Sequence, residues 1–390
     1  MLMTDWTPVP TTLPLWVPFY RQREWVLVAT QTINLAIPLV FLFAGLAPKF
    51  RSWSARLARD STYLTVTLYS VSYLALAAIL ILPVSYWAEL VFFRAWDVPT
   101  PSTVQWLAGR GFTLSAEIVV ASALVWIPYA LMRHKLRLWW LYTGALVCLV
   151  FATALVTYQM VLTPLWTAYR PMPAGPLARQ LQDLGERCGV KHLEVLVGGN
   201  DEATVIGLKP LNRIVVSEQF MRELTEPEQV VALAHELKHY ITGDSWEGIG
   251  VIAGYLLAAL WLVDVVGRAL LTRFGGRWGV SDLADAASVP LVIFILTALW
   301  LGAGLPVFNA VQRQAEFHAD RLALELTHLN RAQGLLQSRN TKDALNEYDW
   351  FYRLWIANHP SASERVRFAN TYRPWDNGGT ITDANLCRMP

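Results

Sequence analysis

The sequence predicts an integral-membrane α-helical protein with about six transmembrane helices and a small α+β domain divided between two polar segments. Two observations carry this. Of the 390 residues 54% are hydrophobic and only 16% charged, and the apolar residues gather into long runs. Residues 166–245 and 309–390 interrupt those runs with polar sequence, and the first segment contains the pentapeptide His235-Glu236-Leu237-Lys238-His239.

The runs are Trp25–Ala47, Thr62–Phe93, Thr113–Met132, Trp139–Leu162, Gly248–Leu271 and Val289–Val307. Each is long enough to cross a hydrocarbon core of about 30 Å at about 1.5 Å per residue. The second contains Pro83 and reads as one tilted or kinked helix continuing past the bilayer, with two short spans as the alternative. Trp25, Trp87, Trp139, Trp140 and Trp246 fall at run ends, where indoles prefer the interface. The first run begins late and is too long for a signal h-region, so no cleavable signal peptide is expected. A net charge of +2 gives no reason to expect a nucleic-acid partner. The chain therefore divides into a four-span membrane domain (1–165), a first polar part (166–245), a two-span hairpin (246–308) and a second polar part (309–390). The hairpin returns the last part to the side that carries His235.

Within the first polar part, Pro171, Pro173 and Pro176 mark a linker, and Leu177, Leu181 and Leu184 mark an amphipathic helix. Strands are expected at His192–Val197, Ala203–Gly207 and Arg213–Ser217, the last two joined by a turn at Lys209-Pro210-Leu211-Asn212. A helix then starts at Thr225, with Pro227 in its first turn and Glu228 completing a capping box. Val230, Val231, Ala234 and Leu237 supply its apolar face, and Gly243 closes it. The tail Trp375–Pro390 is expected to be loosely ordered.

On that helix His235 and His239 stand at i and i+4, so both imidazoles reach one metal ion. One Zn2+ is the expected cofactor, because zinc takes imidazole nitrogen and a catalytic site keeps a position open for water. Glu236 beside the first histidine is placed to take a proton from that water and pass it to a leaving amine. A third ligand comes from Ala315-Glu316-Phe317-His318-Ala319-Asp320. Glu316 can bind the metal, while Asp320, on the same helical face, orients a ligand imidazole. His318 points elsewhere and reads as a structural or surface residue.

These motifs, in this order and with membrane spans between them, resemble the type I CAAX prenyl protease family of integral-membrane zinc metallopeptidases, with the HtpX-like bacterial proteases as relatives. Leu162-Thr163-Pro164-Leu165 with Arg170-Pro171-Met172, Gly207 to Ser217, His235-Glu236-x-x-His239, Glu316-Phe317-x-Ala319-Asp320 and His359-Pro360-x-x-x-Glu364-Arg365 carry the likeness. It implies a gluzincin zinc-protease fold for the α+β domain. His235, His239 and Glu316 would bind zinc, Glu236 would be the general base, and Asp320 would orient a ligand. His359 would hydrogen-bond the oxyanion, and Arg365 would support that geometry or bind substrate backbone. The chain departs from the prenyl proteases at three places. Glu202-Ala203 replaces the usual Asn-Ala of the edge strand, Lys238 stands where Gly is usual, and Asp244 stands where a histidine is frequent. One N-terminal span of their seven is also lacking.

The expected function is membrane-embedded peptide-bond hydrolysis in membrane-protein quality control or peptide processing, on peptide or membrane-protein substrates. CAAX-type prenyl-peptide cleavage is one alternative, and a non-catalytic membrane chaperone or scaffold with a structural zinc is another. Cys188 and Cys387 fall in the two polar parts, and a disulfide between them requires an oxidising compartment. Asp264, Arg268 and Glu117 lie within spans, where they either pair to hold the bundle or line a watery chamber. The expected location is the plasma (inner) membrane; nothing in the sequence sets an oligomeric state. Basic residues concentrate in loops 48–61, 133–138 and 272–287, which by the positive-inside rule puts the polar parts outside the cytoplasm. The family resemblance implies a cytosolic active site instead, and the charge rule is slightly preferred.

Overall fold

The computed structural model describes residues 6–158, 167–199, 203–339, 345–379, 381–383 and 386–388. Leu162–Leu165 and Glu202 lie outside the described residues. The chain forms two compact units. One comprises Met1–Val17, Cys148–Ile252 and Leu305–Pro390, and the other Pro18–Val147 and Ala253–Gly304.

Six helices are long and apolar enough to cross a membrane: Pro14–Phe43, Thr62–Arg94, Thr103–Arg133, Trp139–Thr157, Asp244–Trp278 and Ala286–Thr327. They are numbered here as spans one to six. Span two is a single helix through Pro83, which has no N–H to give to the preceding turn. A π-helical turn at Trp87–Val91 follows one turn later and carries the helix on to Arg94. Span three starts earlier than its apolar run because Ser102 and Gln105 form a capping box ahead of Thr103. Span six, 42 residues long, is relaxed by a π turn at Trp300–Gly304. A Cβ on Gly304 would sit 2.6 Å from both Trp300 and Tyr255, so only glycine fits there.

The core of the membrane unit is built from Phe41, Tyr69, Tyr73, Trp139, Leu260, Val263, Leu283 and Leu291. The charges within its spans divide between an ion pair and a cavity wall. Asp264 Oδ1 accepts from Arg268 Nε at 2.8 Å and from Trp139 Nε1 at 2.7 Å, a pair that ties the bundle together. Glu117 instead lines a cavity of about 530 Å³ with Asn34, Tyr73 and Arg110.

In the other unit a four-stranded sheet has the order β1-β2-β4-β3, from β1 (Arg170–Pro171), β2 (Val195–Val197), β3 (Ala203–Ile206) and β4 (Arg213–Val216). The central pair β2/β4 is parallel, and β1 and β3 join antiparallel on either side, leaving β3 as an edge. The helices of this unit are α1 (Pro176–Arg187), α2 (Glu218–Glu223), α3 (Glu226–Thr242), α4 (Leu305–Thr327, the polar end of span six), α5 (Asn330–Arg339), α6 (Trp350–Trp355) and α7 (Ala362–Thr371). Val195, Val197, Ile214 and Val216 pack with Leu233, Ala234 and Leu237 of α3 and with Leu322, Ala323 and Leu326 of α4. Leu233 and Leu237 are each 1% exposed, so truncating either to alanine should cost about 2–5 kcal/mol.

The C-terminal tail is tied down, contrary to expectation. Buried Glu325 accepts the backbone N–H of Thr382 at 3.0 Å and of Asp383 at 2.9 Å, and Arg321 pairs with Asp383 at 3.0 Å. Cys387 then closes a disulfide with Cys188. A buried carboxylate and a covalent bond outweigh a composition that favours disorder. Of the three cysteines only Cys148 is free. Thiol titration of the denatured, unreduced protein should therefore find one thiol, and after reduction three; three without reduction would contradict the bond.

Candidate metal centre

Helix α3 begins as its sequence demands. Thr225 and Glu228 cap each other, Pro227 occupies the first turn, and nearly every side chain from Glu228 to Lys238 is buried. That burial holds the helix firmly and aims His235 and His239 into a cavity of about 460 Å³. Glu316, Asp320, His359, Arg365 and Glu236 line the same cavity. The seven site residues expected from sequence are thus together. His318 is not among the lining residues.

Three donor side chains converge. The Nε2 atoms of His235 and His239 are 3.3 Å apart, His235 Nε2 is 3.3 Å from Glu316 Oε2, and His239 Nε2 is 3.6 Å from Glu316 Oε1. A tetrahedral ion with ligand bonds of about 2.0–2.1 Å sets its donors about 3.3–3.4 Å apart. The three side chains fit that geometry and could hold one metal ion. Two imidazole nitrogens and a carboxylate brought this close suit a cation between them.

Each imidazole is held from behind. Asp320 Oδ1 accepts from His235 Nδ1 at 2.9 Å, which leaves the Nε2 lone pair toward the cavity. Asp320 is 1% exposed, and Arg365 grips it with two hydrogen bonds, Nε to Oδ2 at 2.6 Å and Nη2 to Oδ1 at 2.5 Å. Burial alone would raise the Asp320 pKa, but the Arg365 charge and the His235 hydrogen bond hold it below the usual carboxylate range. Arg365 sits in the first turn of α7, fixed by the Ser361–Glu364 capping box. It is 8% exposed and is engaged by Asp320.

His239 has a partner that sequence reasoning missed. Asp244 Oδ2 accepts from His239 Nδ1 at 2.5 Å and from Lys238 Nζ at 2.6 Å. Gly243 makes this contact by adopting φ 69°, ψ 46°, the left-handed region that glycine enters without strain. The turn ends α3 and folds Asp244 back beneath His239. Helical periodicity cannot predict a residue beyond the cap; the Gly-Asp pair was the available signal. Burial opposes ionisation of Asp244, yet hydrogen bonds from His239, Lys238 and Thr242 bring its pKa down to about 2.

The remaining groups differ in charge. Burial opposes a proton on His235, but hydrogen bonds and charge from Asp320 and Glu316 raise its pKa to about 10, so a metal must displace that proton. Burial raises the pKa of Glu236. Desolvation lowers that of His359 despite the Glu316 carboxylate, whose Oε1 is 3.4 Å from His359 Nε2. Nδ1 of His359 is occupied by Asn358 Oδ1 at 2.8 Å, so Nε2 is the nitrogen that faces the site. Along one wall lie Ala203, Thr204 and Val205 of β3, which has no second strand beside it among the described residues.

Residues 171–373 match peptidase family M48. The CAAX prenyl protease 1 homologs of Arabidopsis thaliana and Oryza sativa subsp. japonica are each 26% identical to this chain. The matches cover 58% and 56% of this chain and 55% and 53% of theirs, over 251 and 235 residues. The probable CAAX prenyl protease 1 of Schizosaccharomyces pombe is 24% identical over 56% of this chain and 47% of its own length. The chain spans about half the length of the curated relatives it matches. The crystal structure of S. mikatae Ste24p shares the fold with a TM-score of 0.67 at 18% identity, over 90% of this chain and 87% of that one.

Removing Asp244 frees the His239 ring and strands the Lys238 charge, which is 6% exposed. Asp244→Ala should weaken metal binding about 10–100-fold in a chelator competition, with a loss of stability besides. The double variant Lys238→Met/Asp244→Ala should recover the stability but not the affinity. Wild-type affinity in the double variant would show that Asp244 only balances Lys238.

Proposed function

The chain belongs to peptidase family M48, a family of metallopeptidases, and from that premise we propose that it is a membrane-embedded zinc metalloendopeptidase. The observation that carries the reading is the approach of His235, His239 and Glu316 to tetrahedral spacing at the wall of an open cavity. Glu236, which a structural metal site would not need, lines that same cavity.

When bound, zinc would polarise a scissile carbonyl and make water acidic enough to deprotonate near neutral pH. The chain's own groups do the rest. Glu236, its pKa raised by burial, takes a proton from the attacking water and hands it to the leaving amine. His359 Nε2 faces the position where negative charge develops on the carbonyl oxygen. Asp320 and Arg365 keep His235 in one tautomer, and Asp244 with Lys238 does the same for His239. The free edge of β3 offers N–H and C=O groups to an extended peptide, as edge strands do in strand-addition complexes.

Substrates on this reading are peptides or membrane proteins that reach the cavity from the bilayer or its surface. Prenyl-peptide cleavage is the second reading, favoured by the relatives named CAAX prenyl protease 1. Detergent-purified wild type and Glu236→Gln should be offered an unstructured protein and a farnesylated peptide. Wild type should cut and Glu236→Gln should be slower by about 10²–10⁴-fold while retaining zinc. Cleavage only of the farnesylated peptide selects the second reading. A protein that binds zinc and cuts neither is a scaffold.

The Cys188–Cys387 bond lies in the unit that holds the metal centre. Disulfides persist in oxidising compartments, and the basic loops 48–61, 133–138 and 272–287 favour the cytoplasm for the opposite side. Both considerations support a protease unit on the non-cytoplasmic side of a plasma (inner) membrane. A reporter active only after export, fused behind Pro390, should be active. A cytoplasmic reporter fluorescing there would reverse the orientation.

A further inference from the structure

Helix α6 carries an apolar face that the protease reading leaves unused. Trp350, Phe351 and Trp355 lie on one side of it, with ring centroids 6.0 Å (Trp350–Phe351), 5.1 Å (Phe351–Trp355) and 5.9 Å (Trp350–Trp355) apart. Trp350 is 70% exposed, whereas Tyr352, on the opposite side, is 2% exposed. Asp349 caps the helix by accepting from Tyr352 N at 2.8 Å. Its last carbonyls are taken by α4, with Asn309 Nδ2 donating to Leu354 O at 3.0 Å and Arg313 donating to Arg353 O and Ala357 O. The helix is therefore fastened through its backbone, with Trp350 exposed and Phe351 and Trp355 half-buried beside it.

Its attachment fixes its depth. The apolar run of span six ends at Val307, so Asn309 and Arg313 lie only about 3–9 Å farther along the same helix. A headgroup layer is about 5–7 Å thick on each side of the hydrocarbon. The chain leading into span one passes the same place: Asn346 donates from its backbone N to Thr12 Oγ1 at 2.9 Å and from Nδ2 to Thr11 O at 2.9 Å. Leu13 and Leu15, just beyond, are 60% and 73% exposed. The segment before span one and the polar end of span six are thus both tied to α6 or to the residues just before it.

We propose that Trp350, Phe351 and Trp355 form an interfacial anchor, seated among the lipid headgroups and upper acyl chains at the mouths of spans one and six. Indole and phenyl rings prefer this layer. Arg353, the exposed charge on the helix, is already paired with Glu364 at 2.7 Å and adds no net repulsion or attraction. The anchor does not depend on catalysis and is tested without it.

An environment-sensitive fluorophore should be attached at Trp350→Cys, in a Cys148→Ser background that leaves the Cys188–Cys387 bond intact, and the protein reconstituted in liposomes. Blue-shifted emission should be quenched most by nitroxide lipids labelled in the headgroup or upper chain, less by chain-end labels, and little by aqueous iodide. Iodide quenching without lipid quenching would overturn the proposal. So would blue-shifted emission that neither quenches and that depends on protein density, which would mark a contact between copies. Phe351→Cys, labelled in the same way, repeats the measurement should Trp350→Cys not fold.

Discussion

The hydrogen bond from His235 to Asp320 is the contact on which the metal centre depends. It joins α3 to α4 across 85 residues of sequence and settles which nitrogen of His235 is left for a ligand. It also places a carboxylate in the core, where an unpaired charge would be costly, so the structure needs the two-pronged grip of Arg365 from α7. Three helices are thereby held to one another through a single buried side chain. Glu316, one turn before Asp320 on α4, is carried to the donors of α3 by the same contact. Loosening any member would spread the three donor atoms, and a tetrahedral site tolerates only small errors in that spacing.

The membrane and the site share helices rather than being joined by flexible chain. Only Gly243 separates α3 from the first residue of span five, and span six runs without a break into α4. The glycine provides a left-handed turn, and the π turn at Trp300–Gly304 absorbs a local irregularity inside the longest helix. Such connections also explain why polar side chains such as Asn309 and Arg313 appear just past the apolar run, where they secure α6 through its backbone.

Two positions at which the sequence departs from the prenyl proteases are in contact with each other. Lys238 donates to Asp244, and Asp244 in turn holds His239. Read singly, a lysine in place of glycine beside a ligand histidine is a buried charge without purpose, and an aspartate in place of histidine is a lost imidazole. Together they form a neutral pair that orients a ring. The lysine keeps the carboxylate ionised, while the shared oxygen limits how much electron density reaches the imidazole.

Spans, metal motifs and the capped start of α3 were legible in the residues because each rests on local rules. Apolar length, i and i+4 spacing and reciprocal capping all act within a few turns of chain. Glu316 and Asp320 were found because they share one helical face, and His359 and Arg365 because a family pattern carried them. Asp244 was not found, since the left-handed Gly243 takes it off the helical register. The tail was misjudged because its order comes from Glu325 and Cys188, distant partners that composition cannot display. Local sequence set which residues could bind a metal and which segments could cross a bilayer. Packing of α3 against α4, braced by Arg365 of α7, set whether those residues meet, because donor spacing within a few tenths of an ångström is a property of side chains brought together from separate helices.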